Sequence, residues 1–412
     1  MSCPCILFIA PSSYPIYGAE ANVNAKVIKM LCSSGCTLDL VCRSQRNRPN
    51  NYPLTESDFY FGKLRSIHSV EVNTQKNIST IWRNVLTFLK TGYVYWPCEW
   101  ALGAIEVCEK LIAQNNYDYI YTYDAPSELV GCYLSRKYNL KWVATWNDPY
   151  VWNKYPAPYG GGAKSRVDFL RMKLIKDIGK YTFKNVFPSD RLRDYMLKYM
   201  VGMKAESCVI SPHILLEELE LENKTTNSEL TIIHAGALGR ERDPKTLLQG
   251  LSAFVDKNPQ AKIKFIFLGV FERIKGDYFS DMIVEQGLES YVECIAPVPY
   301  SESLEIVSKY DVCLLVEANC EEGIFLPSKI ADYMQNNKPI FAVSPRLGVI
   351  NDMYRKGEID YFADVENAAE IADEIEKIYN DFVAERLNRN NKILSFYRSK
   401  SVIEISKKLI WQ

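Results

Sequence analysis

A lysine, several carboxylates and a proline-serine pair lie close together between Glu321 and Tyr333. Apolar runs flank this stretch at Val312 to Val316 and at Ile340 to Val343, which predicts the order strand, loop, helix, strand. Ser328 is a favoured helix N-cap residue, so we expect the helix to begin near it. The free N–H groups at that helix end, together with the charge of Lys329, would attract a phosphate group.

The carboxylates in the same stretch suit a different kind of group. Glu321, Glu322 and Asp332 would repel a phosphate, but each can accept hydrogen bonds from the hydroxyls of a ribose or a hexose. A phosphate bound next to a hydroxylated ring is the arrangement found in a nucleotide sugar. The stretch therefore predicts a binding site for a sugar nucleotide.

A second loop with cationic side chains follows the predicted strand Thr231 to Ala235. Gly236 allows the backbone to approach a ligand closely, and Arg240 and Arg242 offer forked donors that suit a diphosphate. Surface arginines near a helix start are more often solvated, so this loop alone is weak evidence. In a doubly wound sheet, however, the loops at strand C-termini share one edge, which would bring this loop toward Lys329.

Length and composition limit the classes of protein. With 412 residues the chain exceeds the usual size of one hydrophobic core, so two domains are expected. The 49 Lys and Arg residues against 50 Asp and Glu residues give no basic excess, so nucleic acid is not an expected partner. We find no signal-peptide pattern and no apolar run long enough for a membrane span. Twelve cysteines, mostly in apolar segments, indicate reduced thiols and a cytoplasmic protein.

Apolar strands alternate with amphipathic helices along most of the chain, which predicts parallel sheets. One series covers residues 1–215 and a second covers 229–394, with a polar, acidic linker between them. Neither Gly-x-Gly-x-x-Gly nor a P-loop motif occurs, which argues against dehydrogenases and P-loop enzymes. The predicted fold class is α/β, with two Rossmann-like, doubly wound parallel-sheet domains.

A basic helix is predicted from Lys164 to Lys184, with seven basic and two acidic residues. Such a charge bias could hold the protein at the anionic inner face of a membrane. The simpler interpretation is the solvated face of a packed helix. The sequence leaves both interpretations open.

Four motifs resemble the retaining glycosyltransferases of family 4, and the likeness spans nearly the whole chain. They are Tyr17-Gly18-Ala19-Glu20, Asn147-Asp148-Pro149, the Gly236 turn with Arg242-Asp243-Pro244, and above all Leu326-Pro327-Ser328-Lys329-Ile330 through Asp332-Tyr333 to Lys338-Pro339. The last is similar to members that assemble bacterial surface polysaccharides. The resemblance implies the GT-B fold, in which an acceptor-binding and a nucleotide-sugar-binding domain face a cleft. A C-terminal helix at about 395–412 is expected to pack back onto the first domain.

The resemblance also implies which groups hold the donor diphosphate. The family's Arg and Lys fall on Ala237 and Arg242, so only Arg242 keeps a charge, and Arg240 or Lys329 would compensate. Backbone N–H groups of 323–325 would hold the donor sugar and its phosphate. Because catalysis would consist mainly of stabilising charge on the leaving diphosphate, Arg242 and Lys329 are the expected catalytic cations.

The family's paired glutamates are altered in this chain. Asp332 stands at the ribose-binding position, and Ile324 stands eight residues earlier, where a glutamate is usual. Glu322 is therefore the expected contact to the donor sugar, with Glu321 behind it. The full set of expected donor-binding residues is Gly236, Arg240, Glu321, Gly323, Ile324, Phe325, Leu326, Ser328 and Asp332, and Glu322 joins the catalytic set.

Acceptor contacts are expected in the first domain. Tyr17, Gly18 and Asn147 would bind the acceptor, and Asp148 would orient or deprotonate it, although an Asp before a Pro is more often a turn residue. The chain has no Asp-x-Asp motif, and its three histidines lack zinc-site spacing, so neither a metal nor a cofactor is expected.

The leading hypothesis is sugar transfer from a UDP- or GDP-linked donor to a saccharide or lipid-linked saccharide, in capsule, O-antigen or exopolysaccharide synthesis. The protein would then be cytoplasmic and peripheral on the inner membrane face. Two alternatives stay open: a nucleotide-sugar epimerase on the same fold, and a non-catalytic subunit that binds nucleotide sugars.

Overall fold

The computed structural model describes residues 3–44, 54–71, 78–93, 99–123, 125–150, 154–160, 168–216, 228–239, 241–271, 273, 276–387 and 394–412. The chain forms two compact units. The first unit comprises Met1–Lys154, Gly162–Ile214 and Ser399–Gln412, and the second comprises Tyr155–Gly161 and Leu215–Arg398.

The first unit is built on a parallel sheet of seven strands. These are β1 (Cys5–Ile9), β2 (Thr37–Arg43), β3 (Ser66–Val70), β4 (Tyr119–Tyr123), β5 (Lys141–Thr145), β6 (Lys184–Phe187) and β7 (Cys208–Ile210), in the order β3-β2-β1-β4-β5-β6-β7. The inner strand β1 is apolar throughout, and Ile6, Leu7, Phe8 and Ile9 have no exposed surface. Such continuous apolar strands are typical of parallel sheets covered on both faces by helices.

In the described part of the first unit, seven α-helices connect these strands. They are α1 (Ala19–Ser33), α2 (Leu54–Phe61), α3 (Ile78–Thr91), α4 (Glu99–Gln114), α5 (Ser127–Tyr138), α6 (Asp168–Tyr181) and α7 (Asp190–Leu197). The basic helix predicted from Lys164 to Lys184 is therefore shorter at its C-terminal end, because Lys184 already begins β6. Residues 164–167 lie outside the described part of the chain.

The second unit contains a parallel sheet of six strands. These are β8 (Leu230–Ala235), β9 (Ile263–Leu268), β10 (Val292–Ile295), β11 (Val312–Val316), β12 (Ile340–Ser344) and β13 (Tyr361–Asp364), in the order β10-β9-β8-β11-β12-β13. Chain order reverses between β8 and β11, which are neighbours in the sheet. Loops that leave the C-terminal ends of two such strands border a crevice where ligands of doubly wound sheets bind.

Helices cover both faces of the second sheet. They are α8 (Lys245–Lys257), α9 (Phe279–Glu285), α10 (Tyr300–Ser308), α11 (Lys329–Gln335), α12 (Val349–Arg355), α13 (Ala368–Val383) and α14 (Leu394–Tyr397). The predicted apolar face of α13 is confirmed, since Ile371, Ile375 and Ile378 are fully buried. Gly250 lets α8 and α13 pack closely, because a Cβ there would lie 2.5 Å from Cγ2 of Ile371.

The last residues of the chain return to the first unit. Helix α15 (Ser399–Ile405) packs on α1, and residues Ser406–Ile410 continue it as a π-helical turn. Ile410 is buried, and the indole N–H of Trp411 donates to the hydroxyl of Tyr121 on β4 at 2.8 Å. These residues complete the core of the first unit beside the carboxyl half of β4.

Candidate functional site

The candidate site lies where β8 and β11 end in the second unit. His234, on β8, is fully buried, and its Nδ1 lies 3.1 Å from the carbonyl oxygen of Leu314 on β11. Because a carbonyl can only accept, Nδ1 carries the proton and Nε2 is the acceptor. Burial, together with the nearby charges of Lys329 and Arg242, holds the pKa of His234 well below its usual value. The imidazole is therefore neutral.

Lys329, the first residue of α11, reaches back to β8. Its Nζ lies 3.2 Å from Nε2 of His234, to which the ammonium donates. Burial, reinforced by Arg242 and opposed by Glu317, lowers the pKa of Lys329 to about 7. This lysine therefore titrates near neutral pH, and a bound anion would favour its charged form.

Gly236 provides the space that Lys329 occupies. A Cβ at Gly236 would lie 2.3 Å from Cε and 2.4 Å from Nζ of Lys329, and the glycine has a φ of 136°. The neighbouring turn after β9 is equally close, because a Cβ at Gly269 would lie 2.3 Å from the carbonyl oxygen of Gly236. Two glycines thus allow two turns and one lysine stem to occupy the same small volume.

Tyr333 holds these elements together from one turn further along α11. Its hydroxyl donates to the carbonyl oxygen of Leu314 at 3.0 Å and accepts the N–H of Ala235 at 3.0 Å. The ring is buried in the core below α11. One hydroxyl therefore links α11, β8 and β11 and fixes the position of Lys329.

Arg242 faces a buried carboxylate. Its Nε lies 3.6 Å from Oε1 of Glu317, the residue after β11, and the Glu317 side chain is only 8 % exposed. The carboxylate raises the pKa of Arg242, while burial raises the pKa of Glu317 against the opposing effect of the two cations. The backbone N–H of Arg242 donates to the carbonyl oxygen of Gly239 at 3.0 Å. The carboxylate of Asp243 accepts the backbone N–H of Lys245, where α8 begins.

Tyr159 closes over this ion pair. It interacts electrostatically with both Arg242 and Glu317, and burial raises the pKa of Tyr159. The ring contacts Phe325 edge-on, with centroids 4.7 Å apart, and Tyr155 packs against Phe325 at 6.0 Å. Phe325 thus provides an apolar surface on which Tyr155 and Tyr159 of the same unit pack, beside the charged groups.

The remaining predicted donor-binding residues occupy varied surroundings. Asp332 accepts a hydrogen bond from the hydroxyl of Tyr300. Glu322 is half-buried, and Glu321 is exposed at the rim of a groove of about 610 Å³ that also includes Asn319, Arg346 and Asp364. Arg240 lies outside the described residues.

The structure bears on three expectations about this loop. The N–H of Gly323 donates to the carbonyl oxygen of Leu347 at 2.8 Å, so it is already used within the protein. The side chains of Ile324 and Leu326 are buried, which leaves only their backbones for ligand contact. Ser328 does stand before the first residue of α11, but it has a helical backbone and makes no side-chain capping bond.

The predicted acceptor residues lie in the first unit. Gly18, with a φ of 89°, precedes α1, and Tyr17 beside it is 55 % exposed. Asn147 lines a cavity of about 40 Å³ together with Val23 of α1. Asp148 is exposed at the following position. The structure therefore places the loop after β5 next to the start of α1.

Sequence reasoning missed three residues of the candidate site. Glu317 was recognisable in principle, because a carboxylate directly after a buried strand lies at the ligand-binding edge of the sheet. His234 lies inside an apolar strand, where a histidine is usually a core residue. Tyr159 comes from a distant loop, and nothing in its sequence surroundings indicates a contact with Arg242.

Comparison with solved structures identifies the fold. Sucrose-phosphate synthase from Thermosynechococcus elongatus is 16% identical, with a TM-score of 0.67 and 98% of each chain covered. HepE of Anabaena in complex with UDP and glucose is 12% identical, with a TM-score of 0.62 over 99% of this chain and 96% of that chain. The lipopolysaccharide outer core galactosyltransferase WaaB is 11% identical, with a TM-score of 0.60 over 98% of this chain and 99% of that chain.

These similarities, with two parallel Rossmann-like sheets, establish the predicted GT-B fold. No protein-family profile matches the chain, and no curated protein matches its sequence.

Proposed function

We propose that the protein is a retaining glycosyltransferase of family 4 that uses a UDP- or GDP-linked hexose as donor. The observation that carries this proposal is the convergence of Arg242, Lys329 and Glu317 where β8 and β11 end. Similar folds support it, since the HepE structures contain UDP, UDP with glucose, or UDP-glucose. The acceptor would be a saccharide or a lipid-linked saccharide, in the synthesis of a surface polysaccharide.

Charge stabilisation would do most of the chemical work. The bond between the sugar C1 and the diphosphate breaks, and the acceptor oxygen forms a new bond to C1 on the same face. The acceptor proton passes to the leaving diphosphate, so no strong protein base is needed. Arg242 and Lys329 would neutralise the diphosphate, and the preorganised position of both cations avoids reorganisation during the reaction.

The buried neighbours would position these cations. Glu317 fixes the guanidinium of Arg242, and neutral His234 accepts a bond from Lys329 without competing as a cation. The carboxylates of Glu322 and Asp332 would accept hydrogen bonds from hydroxyls of the donor. In the first unit, Tyr17, Gly18 and Asn147 would contact the acceptor, and Asp148 would orient its hydroxyl. The sugar transfer would require no metal ion.

The test is release of nucleoside diphosphate. Purified protein is incubated with UDP- and GDP-sugars, with and without a membrane extract as acceptor source. Release should require the extract and should fall about a hundredfold in Arg242→Ala, as is common when one transition-state contact is removed. Arg386→Ala is the matched control, because Arg386 pairs with Asp381 at the surface of the same unit.

Two other results would replace the proposal. Conversion of the donor sugar without acceptor, detected by NMR, would establish an epimerase. Tight nucleotide binding with no turnover in any extract would establish a non-catalytic subunit, which is consistent with Ala237 and Ile324 at positions where the family carries an Arg and a Glu.

A further inference from the structure

Helix α3 presents its apolar side chains to solvent. Relative exposures in this 14-residue helix are 60% for Ile81, 62% for Trp82, 40% for Val85, 49% for Leu86, 37% for Phe88 and 72% for Leu89. We call these six residues the apolar stripe. They recur at intervals of three and four, so they occupy one side of the helix. A contiguous apolar surface of this kind usually marks an interaction site.

The opposite side of α3 is polar and buried. Thr87 and Thr91 are fully buried, and their hydroxyls donate to the carbonyl oxygens of Arg83 and Thr87 at 2.8 and 2.7 Å. Since the helix backbone satisfies these hydroxyls, they can pack against α4. Lys90 adds an ion pair to Glu109 of α4 at 2.9 Å. The helix is therefore held by its polar side, which leaves the apolar stripe outward.

The C-terminal end of α3 adjoins a basic surface on α6. Lys173 Nζ donates to the carbonyl oxygen of Gly92 at 3.2 Å, and Arg136 donates to that of Thr91 at 3.1 Å. Lys173, Lys176 and Lys180 are exposed on α6 at intervals of three and four. Met172, 40% exposed, adds an apolar side chain to the same helix.

Two acidic side chains described beside this surface have hydrogen-bond partners. Glu109 bonds both Lys90 and Lys137, and Asp177 accepts from the hydroxyl of Tyr93. The three exposed lysines of α6 outnumber the single charge of Asp177, and Glu109 has two cationic partners, so the potential of these described groups is positive and complements an anionic partner.

We propose that α3 docks flat on an anionic lipid bilayer. The apolar stripe would enter the boundary between headgroups and acyl chains, and Lys173, Lys176 and Lys180 would contact lipid phosphates. Aromatic and aliphatic residues on one side of a helix, beside a cationic surface, suit a lipid interface better than a protein partner. None of the described helices is long and apolar enough to cross a membrane. The proposed function assigns no membrane-binding element. This inference goes beyond it by assigning insertion into the lipid to α3, while α6, the predicted basic helix, contacts the phosphates.

The test is co-sedimentation with lipid vesicles. Wild-type protein should bind vesicles of phosphatidylcholine with phosphatidylglycerol, and should bind pure phosphatidylcholine more weakly. Leu86→Glu and Leu89→Glu should each weaken binding about tenfold or more, because each leucine loses its burial in lipid. Val284→Glu is the control, since Val284 is 60% exposed on α9 of the second unit and should leave binding unchanged. Circular dichroism confirms folding of every variant.

Charge reversal tests the contribution of the α6 lysines to vesicle binding. Lys176→Glu with Lys180→Glu should reduce binding to the anionic vesicles and remove its dependence on salt. Equal vesicle binding by wild type, Leu86→Glu and Leu89→Glu would overturn the inference. A wild-type dimer that does not bind vesicles, and that dissociates in Leu89→Glu, would also overturn the inference. The apolar stripe would then contact a second copy of the chain. Thermal stabilisation of the protein by UDP can be measured without vesicles, so this measurement tests the proposed function separately.

Discussion

Lys329 and His234 share a hydrogen bond between an ammonium group and a neutral imidazole, with Nζ 3.2 Å from Nε2. The bond to Leu314 fixes the protonated nitrogen of the imidazole, and the other nitrogen faces the lysine. Both groups have lowered pKa values, chiefly because of burial. The charge of Lys329 lowers the pKa of His234 further, and the charge of Arg242 lowers that of Lys329. The site therefore holds a lysine that becomes fully charged only when an anion or a lower pH favours it.

Donor binding should strengthen as the pH falls through about 7. Lys329 has a pKa lowered to about 7 in the free protein, and a bound diphosphate raises it, so binding takes up a proton. Affinity for a UDP-sugar should thus be higher about one pH unit below 7 than about one unit above it. Calorimetry with a UDP-sugar avoids the titration of a terminal phosphate. In Lys329→Met the proton uptake should disappear; its persistence would assign the titration to another group.

Gly236→Ala should weaken donor binding by displacing Lys329. The new Cβ would lie 2.3 Å from Cε of the lysine, which must move. We expect a loss of about tenfold or more in affinity for UDP, measured by calorimetry. Gly276→Ala is the control, because Gly276 also has a positive φ, of 105°, but a Cβ there would meet nothing within 4 Å. An equal loss in both variants would point to backbone strain and not to the lysine.

Glu317→Gln should separate binding from turnover. Removing a negative charge beside two cations should tighten UDP binding severalfold. The guanidinium of Arg242 would lose its ionic anchor, so kcat should fall about tenfold or more. Steady-state kinetics and calorimetry measure the two effects independently. Parallel losses in binding and kcat would instead show that Glu317 only supports the local fold.

Ile410→Ala should destabilise the first unit. Ile410 is 2% exposed, so its truncation should lower the free energy of unfolding by about 2–4 kcal/mol. Leu409→Ala is the adjacent control, because Leu409 is 50% exposed and its loss should change stability by less than about 0.5 kcal/mol. Thermal unfolding of both variants measures these changes in stability. Repeating it with UDP tests whether the second unit is intact, since the nucleotide should still stabilise that unit in both variants.

The architecture could be predicted because it depends on a pattern repeated along the chain. Apolar strands alternate with amphipathic helices, and parallel strands place their C-terminal loops at one edge. The prediction that the loops of Arg242 and Lys329 approach each other follows from that geometry. It is supported by the charge of Glu317, which acts on both cations in the structure.

Other features depend on contacts that no local pattern encodes. The N–H of Gly323 is taken by Leu347 of a loop that follows the next strand, so it could not be assigned from neighbouring residues. Ser328 has a suitable side chain for a cap, but its backbone is already helical. An amphipathic pattern also predicts a helix without showing which side faces the sheet, and α3 buries its polar side.

The return of Ser399–Gln412 to the first unit has a consequence for synthesis of the protein. A ribosome produces the seven strands of the first sheet well before residues 402–410, whose buried side chains complete that core. The second unit ends at Arg398, so all six strands of its sheet are also synthesised before residues 402–410. Nascent chains should therefore carry an open N-terminal half until residues 402–410 have been synthesised, which is a window for chaperone binding.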